Sequence, residues 1–397
     1  MVSAFLVASI LVSPILGLQN SSKSILSYGA ISFSGVGLNY LSRYHMYSSK
    51  YTTDDILRRD FSVFKQDEVE LIVLSLYWYR LEGNTRGGYD GEYLPYPEGI
   101  GGPFGDRFLD NVKHVCRVAS EYGLKVLLSI NTLWGETDSA WCTPDYVIDP
   151  VTGKNIGLAV VRSEDMKQAF LDMFTHVVQR MADGTPFYGW AILNEPWYWP
   201  LKLVPPFDHV DQKENFIDLM LKQREIVKHF DPKKITTIKF CSTHAWNGTD
   251  GRWHIKNIFE ECWQWDDRIL HAVDLVGFNV YLRGADQEIP TNDVELVDQW
   301  KSINERNFLW CAQLGKDVWI TETGCQSDDD EFQRIRIRWF TDYFRTLPVK
   351  VVLGWCWESD ETDPHAEYGY PGRAFNFCED VNGNPRLAYY ELISFIS

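Results

Sequence analysis

Two glutamates stand where a carboxyl group could do chemistry. Glu195 lies in Asn194-Glu195-Pro196, at the end of the apolar run WAILNEPW, and Glu322 lies in VWITETG. Each run reads as a β-strand that delivers its glutamate at the C-terminal end, and Pro196 stops the first from simply continuing a sheet ladder. Two carboxyl groups brought to one opening can act on a glycosidic bond held between them. One must be protonated to assist the leaving oxygen, while the other stays ionised to attack or stabilise the anomeric carbon. A retaining reaction places them about 5 to 5.5 Å apart and passes through a covalent glycosyl-enzyme that water resolves. Taken singly, each glutamate has an ordinary alternative as a strand-end carboxylate in an ion pair. The matched placement of the two is what points to chemistry.

The elements that must position this pair recur with a regular rhythm. Strand-like apolar runs cover Ile31–Leu38, Val69–Trp78, Leu124–Asn131, Phe187–Leu193, Ile235–Cys241, Val273–Tyr281, Val318–Thr321 and Val351–Trp357. Helical patterns fall between them. Met166, Phe170, Met173, Val177 and Met181 recur at spacings of three and four after Ser163, with Glu164 and Asp165 as an acidic first turn, and Phe332, Ile335 and Trp339 repeat the pattern later. Apolar strands alternating with amphipathic helices indicate a parallel sheet buried on both faces. Eight such units predict an α/β fold of the closed (β/α)8 TIM-barrel type, a single domain over residues 23–397. A glycine-rich dinucleotide loop after the first strand is missing, which argues against a doubly wound sheet. In a barrel, residues at the C-terminal strand ends share one mouth, and Glu195 and Glu322 would meet there.

Composition narrows the partners. The chain has 397 residues, 45% apolar, with 38 basic against 55 acidic side chains and a formal charge of -17. That charge repels phosphate backbones and anionic headgroups, so a nucleic-acid partner is not expected. Trp, Tyr and Phe number 16, 20 and 22. Buried indoles need partners for their N–H groups, so some of these rings should line a ligand surface, and flat aromatic faces suit sugar rings. Residues 1–22 carry no charged side chain, and the run Phe5–Leu18, broken by Pro14, fits a secretory signal peptide or an N-terminal apolar segment better than a membrane span. No Lys or Arg precedes that run and no Ala-x-Ala site follows it. The expected destination is secreted or extracytoplasmic, with no stable membrane partner after processing. None of the eight cysteines forms a C-x-x-C pair, so no structural metal is expected; disulfides or buried thiols both remain open. Asn20-Ser21-Ser22 and Asn247-Gly248-Thr249 match the N-glycosylation pattern.

From about Ser32 onward the sequence resembles glycoside hydrolases of clan A, most closely family 5, in its strand-four Asn194-Glu195-Pro196 and strand-seven Glu322. The resemblance implies that Glu195 is the general acid/base, Glu322 the nucleophile, and Asn194 the residue holding the hydroxyl beside the reacting carbon. Tyr281, ending VDLVGFNVY, is similar to the strand-six tyrosine that hydrogen-bonds the nucleophile. Trp355 and Trp357, in VVLGWCWESD, resemble the strand-eight tryptophan region that floors the cleavage subsite, and the tail GRAFNFCEDVNGNPRLAYYEL resembles the closing turn and final helix. One departure stands out. The family usually places an arginine on strand two beneath the nucleophile, whereas ELIVLSLYWYRLEG puts Val73 or Ser75 there; Arg80 comes later, and Arg43 after strand one could supply a compensating cation. The YWYRLEG segment is also similar to β-galactosidase-like members of the clan.

Several residues have two readings. Trp355 and Trp357 alternate along a strand and should share one face, so one of them could pack the barrel. His244 in FCSTHAW could bind a hydroxyl or be ordinary loop structure, and Trp78, Trp134 and Trp246 could be sugar platforms or packed anchors. The expected activity is retaining, cofactor-free hydrolysis of a β-1,4-linked glucan or mannan of the cellulase or β-mannanase type, cut internally. The alternatives are an exo-acting β-glycosidase, a transglycosylase, and a non-catalytic carbohydrate-binding barrel. Apolar or anionic surroundings should raise the pKa of Glu195, hydrogen bonds including one from Tyr281 should keep Glu322 ionised, and activity should peak in mildly acidic solution.

Overall fold

Thr53 opens the first helix, α1 (Asp54–Gln66), by accepting a hydrogen bond from Ile56 N at 3.4 Å, with Asp54 and Asp55 in the acidic first turn. Its inner face buries Leu57, Phe61 and Phe64, and a fully buried phenylalanine contributes about 1.5–3 kcal/mol relative to exposure. The same logic sets the other long helices, α2 (Pro103–Glu121), α3 (Glu164–Met181), α4 (His209–Phe230), α5 (Val294–Gln313), α6 (Asp330–Arg345) and α7 (Leu387–Ile393). Ser163 caps α3 through Met166 N, and Asp329 caps α6 through the N–H groups of Glu331 and Phe332. The computed structural model describes residues 34–40, 53–78, 81, 103–130, 143–144, 146–155, 157–195, 209–248, 252–261, 266–282, 292–327, 329–357, 377–378 and 383–396. All belong to one compact unit, Phe33–Ser397. Residues 1–22, Cys142 and Cys262 lie outside the described residues.

Ten strands are described: β1 (Gly35–Asn39), β2 (Leu71–Leu76), β3 (Lys125–Ile130), β4 (Gly189–Asn194), β5 (Ile235–Cys241), β6 (Thr243–Asn247), β7 (Trp253–Asn257), β8 (Val276–Asn279), β9 (Val318–Thr323) and β10 (Val349–Gly354). Eight close a parallel barrel in the order β1-β10-β9-β8-β5-β4-β3-β2. Each of the eight runs read from the sequence overlaps one of these eight strands. The antiparallel hairpin β6–β7 is an excursion between β5 and β8 that the sequence reading did not foresee. No described helix is long and apolar enough to cross a membrane.

Two strands carry a one-residue bulge just before the residues of interest. Between β4 and β5 the register runs Ala191↔Thr237 and then Asn194↔Lys239, so β4 holds one extra residue. On β9, Ile320 pairs with Phe278 and Glu322 with Asn279, while on the other side Ile320 pairs with Val352 and Thr323 with Gly354. A bulge breaks the period-two alternation and re-aims the side chains beyond it. Asn194 and Glu322 are the residues that follow.

Two sequence expectations change. Phe332 and Ile335 are 42% and 55% exposed, and α6 instead packs Ile337, Phe340 and Phe344 inward, with Trp339 half-buried against Trp300. Trp355 and Trp357 do not share a face: β10 ends at Gly354, the Trp355 ring lies 5.6 Å from the Lys239 ammonium, and Trp357 packs against Phe64 and Tyr389. Cys116, Cys241, Cys311, Cys325, Cys356 and Cys378 are all buried; burial pushes the Cys116 thiol up to about 12, which removes its nucleophilic form at neutral pH.

Barrel closure leaves no room at Gly37 of β1. A β-carbon there would lie 2.3 Å from Leu71 O and 2.6 Å from Leu353 Cδ2. Gly37→Ala is expected to destabilise the fold by about 1–3 kcal/mol through overpacking. Thermal or urea unfolding checks this, and an unchanged midpoint contradicts the packing described.

Candidate active site

The bulges on β4 and β9 bring two acids into the C-terminal mouth of the barrel. Glu195 follows the last residue of β4, and its N–H donates to Lys239 O at 2.9 Å, so its backbone stays tied to β5. Its φ of 42° lies in the left-handed region. That costs a non-glycine residue about 1 kcal/mol or more, and such strain persists where the surroundings over-determine the conformation. The side chain is only 7% exposed, and Asn279 Nδ2 donates to its Oε1 at 2.8 Å. The same amide reaches Asn194 Oδ1 at 3.2 Å, while Asn279 Oδ1 accepts from Thr321 Oγ1 at 2.9 Å. The Thr321 hydroxyl thus fixes which end of the Asn279 amide faces Glu195.

Glu322 is 4% exposed and held from two sides. The Tyr281 hydroxyl donates to its Oε2 at 3.0 Å, and the Lys239 ammonium donates to its Oε1. Lys239, from the middle of β5, is fully buried. It also donates to Asn39 Oδ1 at 3.2 Å and lies 5.6 Å from the centre of the Trp355 ring. Asn39, at the end of β1, donates through Nδ2 to Thr321 O at 3.0 Å and Gly354 O at 3.1 Å, clamping β9 and β10 beside the acid. Trp300 Nε1 donates to Tyr281 O at 2.9 Å, which anchors the tyrosine's backbone.

The sequence reading brings Glu195, Glu322, Asn194, Tyr281 and Trp355 into this mouth. Two tryptophans fall elsewhere. Trp78 is fully buried with its ring edge-on to Phe170 and Tyr146, at 5.2 and 6.1 Å between centroids. Trp357 is 2% exposed, edge-on to Phe64 at 4.7 Å and Tyr389 at 5.4 Å. Neither presents a face to a sugar, so both are packing residues rather than platforms. His244 and Trp246 lie on β6, but their side chains, like Trp134, Arg43 and Arg80, lie outside the described residues.

Lys239, Asn39, Asn279 and Thr321 were missed. Their signal was a polar or charged residue within strands that a two-sided parallel sheet should keep apolar, as in ITTIKFC and VGFN. Among the described residues no group of three or more His, Cys, Asp or Glu side chains could hold a metal ion.

Burial is the largest influence on Glu322, and it pushes the carboxyl up to about 7; Glu195's charge adds to the rise, while Lys239 and Tyr281 oppose it. The expectation of a fully ionised Glu322 therefore changes, because desolvation outweighs the donors. A carboxyl group raised in this way loses its charge as pH falls through neutrality. Carbon-13 NMR titration of glutamate-labelled protein, assigned with Glu322→Gln, should find this midpoint near 7; a midpoint at or below the ordinary glutamate value contradicts it.

No protein-family model matches the sequence, and no curated protein matches it. The fold does have counterparts among solved structures. A GH5_18 enzyme from Streptomyces cattleya, in complex with Manβ1-4GlcNAc, superposes with a TM-score of 0.63 at 14% identity, over 91% of this chain and 79% of that one. An endo-1,4-beta-mannanase from Rhizomucor miehei gives 0.62 at 14% identity, over 91% and 94%. A hyperthermostable endo-1,4-beta-D-mannanase from Thermotoga petrophila gives 0.62 at 15% identity, over 92% and 99%. The resemblance to family 5 read from the sequence is thus matched at the level of the barrel: its structural neighbours are glycoside hydrolases of this type.

Proposed function

We propose that this protein is a retaining glycoside hydrolase that cleaves β-1,4-mannosidic linkages within oligosaccharides or polysaccharides. The observation that carries the reading is the pair Glu195 and Glu322, buried in one barrel mouth and close enough that the charge of one acts on the other. Their surroundings differ as the two roles require. Glu322 is gripped through both oxygens by Lys239 and Tyr281, which suits a nucleophile held at a fixed angle. Glu195 receives a neutral amide from Asn279, which suits a group that must give up and regain a proton.

In the first step Glu322 attacks the anomeric carbon while Glu195 protonates the departing oxygen. In the second, Glu195 takes a proton from water, which displaces Glu322. Asn194 stands beside Glu195 to bind the neighbouring hydroxyl, and Trp355, partly buried, offers its ring to the apolar face of the sugar. The preference for mannose over glucose draws on the solved neighbours, two of them endo-mannanases and one holding Manβ1-4GlcNAc. Internal cleavage is the proposed action, although one further neighbour is an exo-beta-1,4-mannosidase from Opitutaceae bacterium strain TAV5. The apolar N-terminal segment supports export as the setting.

Hydrolysis of mannan, glucan and aryl β-mannosides tests the class, and product sizes from a reduced mannooligosaccharide test the action pattern. Glu195→Ala should slow cleavage of poor leaving groups by about 10²–10⁴-fold, with azide restoring turnover as a β-configured glycosyl azide. Glu322→Ala should abolish hydrolysis, and azide should yield the α-configured product from an activated fluoride. Full turnover by Glu322→Ala would end the assignment. Because Glu322 must be ionised, kcat/KM should fall below pH about 7 by about tenfold per unit.

A further inference from the structure

We propose that Lys239 is a positioning residue for the nucleophile: its ammonium holds Glu322 Oε1 as the spectator oxygen and leaves Oε2 to attack. The proposal deepens the hydrolase reading and rests on it.

Lys239 has no evident reason to exist as a stabilising residue. It is fully buried in β5 among Thr237, Ile238 and Phe240, where desolvating an ammonium is costly. Buried ion pairs are weak sources of stability, since apolar replacements of similar volume are often neutral or better. Its partners instead converge on the chemistry: Glu322 Oε1, Asn39 Oδ1 at 3.2 Å and the Trp355 ring at 5.6 Å. Asn39 is itself pinned by two backbone carbonyls, so it presents its oxygen to the ammonium in a fixed direction. Strand two, where a cation was sought, carries the apolar Val73 and the neutral Ser75. The cation that touches Glu322 comes instead from β5, three places from β2 in the barrel order.

The charge accounting explains the placement. In the protonation state that reacts, Glu322 is the anion and Glu195 carries the proton. As Glu322 Oε2 bonds to the anomeric carbon and the bond to the leaving oxygen breaks, Glu195's proton passes to that oxygen and the negative charge moves to Glu195. Lys239 itself stays on Glu322 Oε1 throughout this transfer. Its hydrogen bond to Oε1 then polarises the ester carbonyl. When water attacks, its proton goes to Glu195, the ester carbon–oxygen bond breaks, and the electron pair returns to a carboxylate that Lys239 stabilises. The charged and titratable groups described at Glu322 are Lys239, Tyr281 and Glu195; Asn39, Asn279, Thr321 and Trp355 are neutral.

The test compares Lys239→Met and Lys239→Arg with the parent protein. Lys239→Met, folded as judged by circular dichroism and melting, should raise the acidic limb of kcat/KM by about 1 to 3 pH units. It should also lower kcat on activated aryl glycosides more than it changes KM, with the glycosyl-enzyme accumulating in mass spectra. Lys239→Arg should restore the limb while recovering only part of kcat. A folded Lys239→Met with parental limb and rates overturns the proposal. If methionine prevents folding, Lys239→Gln, a donor without the charge, is read by the same criteria. If the parent hydrolyses no β-glycoside, the hydrolase reading fails by itself. Carbon-13 titration of Glu322 then decides separately: a midpoint raised in Lys239→Met upholds the electrostatic role of Lys239, and an unmoved midpoint removes it.

Discussion

A carboxylate taken out of water must find a cation or several donors, or it takes up a proton. Glu322 sits at that balance. Burial pushes its proton on, while the Lys239 ammonium and the Tyr281 hydroxyl pull it off. The rest of the mouth is arranged around this contest. Asn39 aims Lys239 and ties down the strands on either side of the acid, and Thr321 orients the Asn279 amide that serves Glu195. Removing one partner of a buried charge pair typically costs about 3–5 kcal/mol, so these residues hold one another as much as they hold the two acids.

The barrel supplies this network through register. Pairing of Asn194 with Lys239 and of Asn279 with Glu322 places the polar groups side by side across neighbouring strands. Both pairings depend on an extra residue in β4 or β9. Without those bulges, simple alternation would carry Asn194 and Glu322 to the opposite face. The strained backbone at Glu195 belongs to the same picture, since a strand end that turns sharply into a loop can deliver its side chain inward.

Much of this was legible in the sequence. Apolar strand runs alternating with capped helices pointed to the closed parallel barrel, and Asn194-Glu195-Pro196 with Glu322 pointed to the candidate pair, because strand ends in that fold share one mouth. The failures have physical causes. Period-two reasoning put Trp355 and Trp357 on one face, but the strand ends at Gly354 and Trp357 packs against Phe64 and Tyr389. Trp78 follows a strand closely enough to suggest a platform, yet Phe170 and Tyr146 enclose it. Lys239 was overlooked because the search for a cation followed the family's position on strand two, while the lysine interrupts an otherwise uncharged β5. A charge inside a two-sided parallel strand is itself a signal, since only a partner at the same depth makes it tolerable.

Barrels of this kind host many chemistries, so function has to be argued from the residues in the mouth rather than from the closure of the sheet. The central claim is that Glu322 forms a covalent bond to the sugar. Incubation with a fluorosugar inactivator that arrests turnover at the glycosyl-enzyme, followed by proteolysis and peptide mass spectrometry, addresses it directly. The account predicts a single glycosylated peptide with the sugar on Glu322. A stable label on Glu195 or any other side chain, or inversion of anomeric configuration with no label, would contradict it.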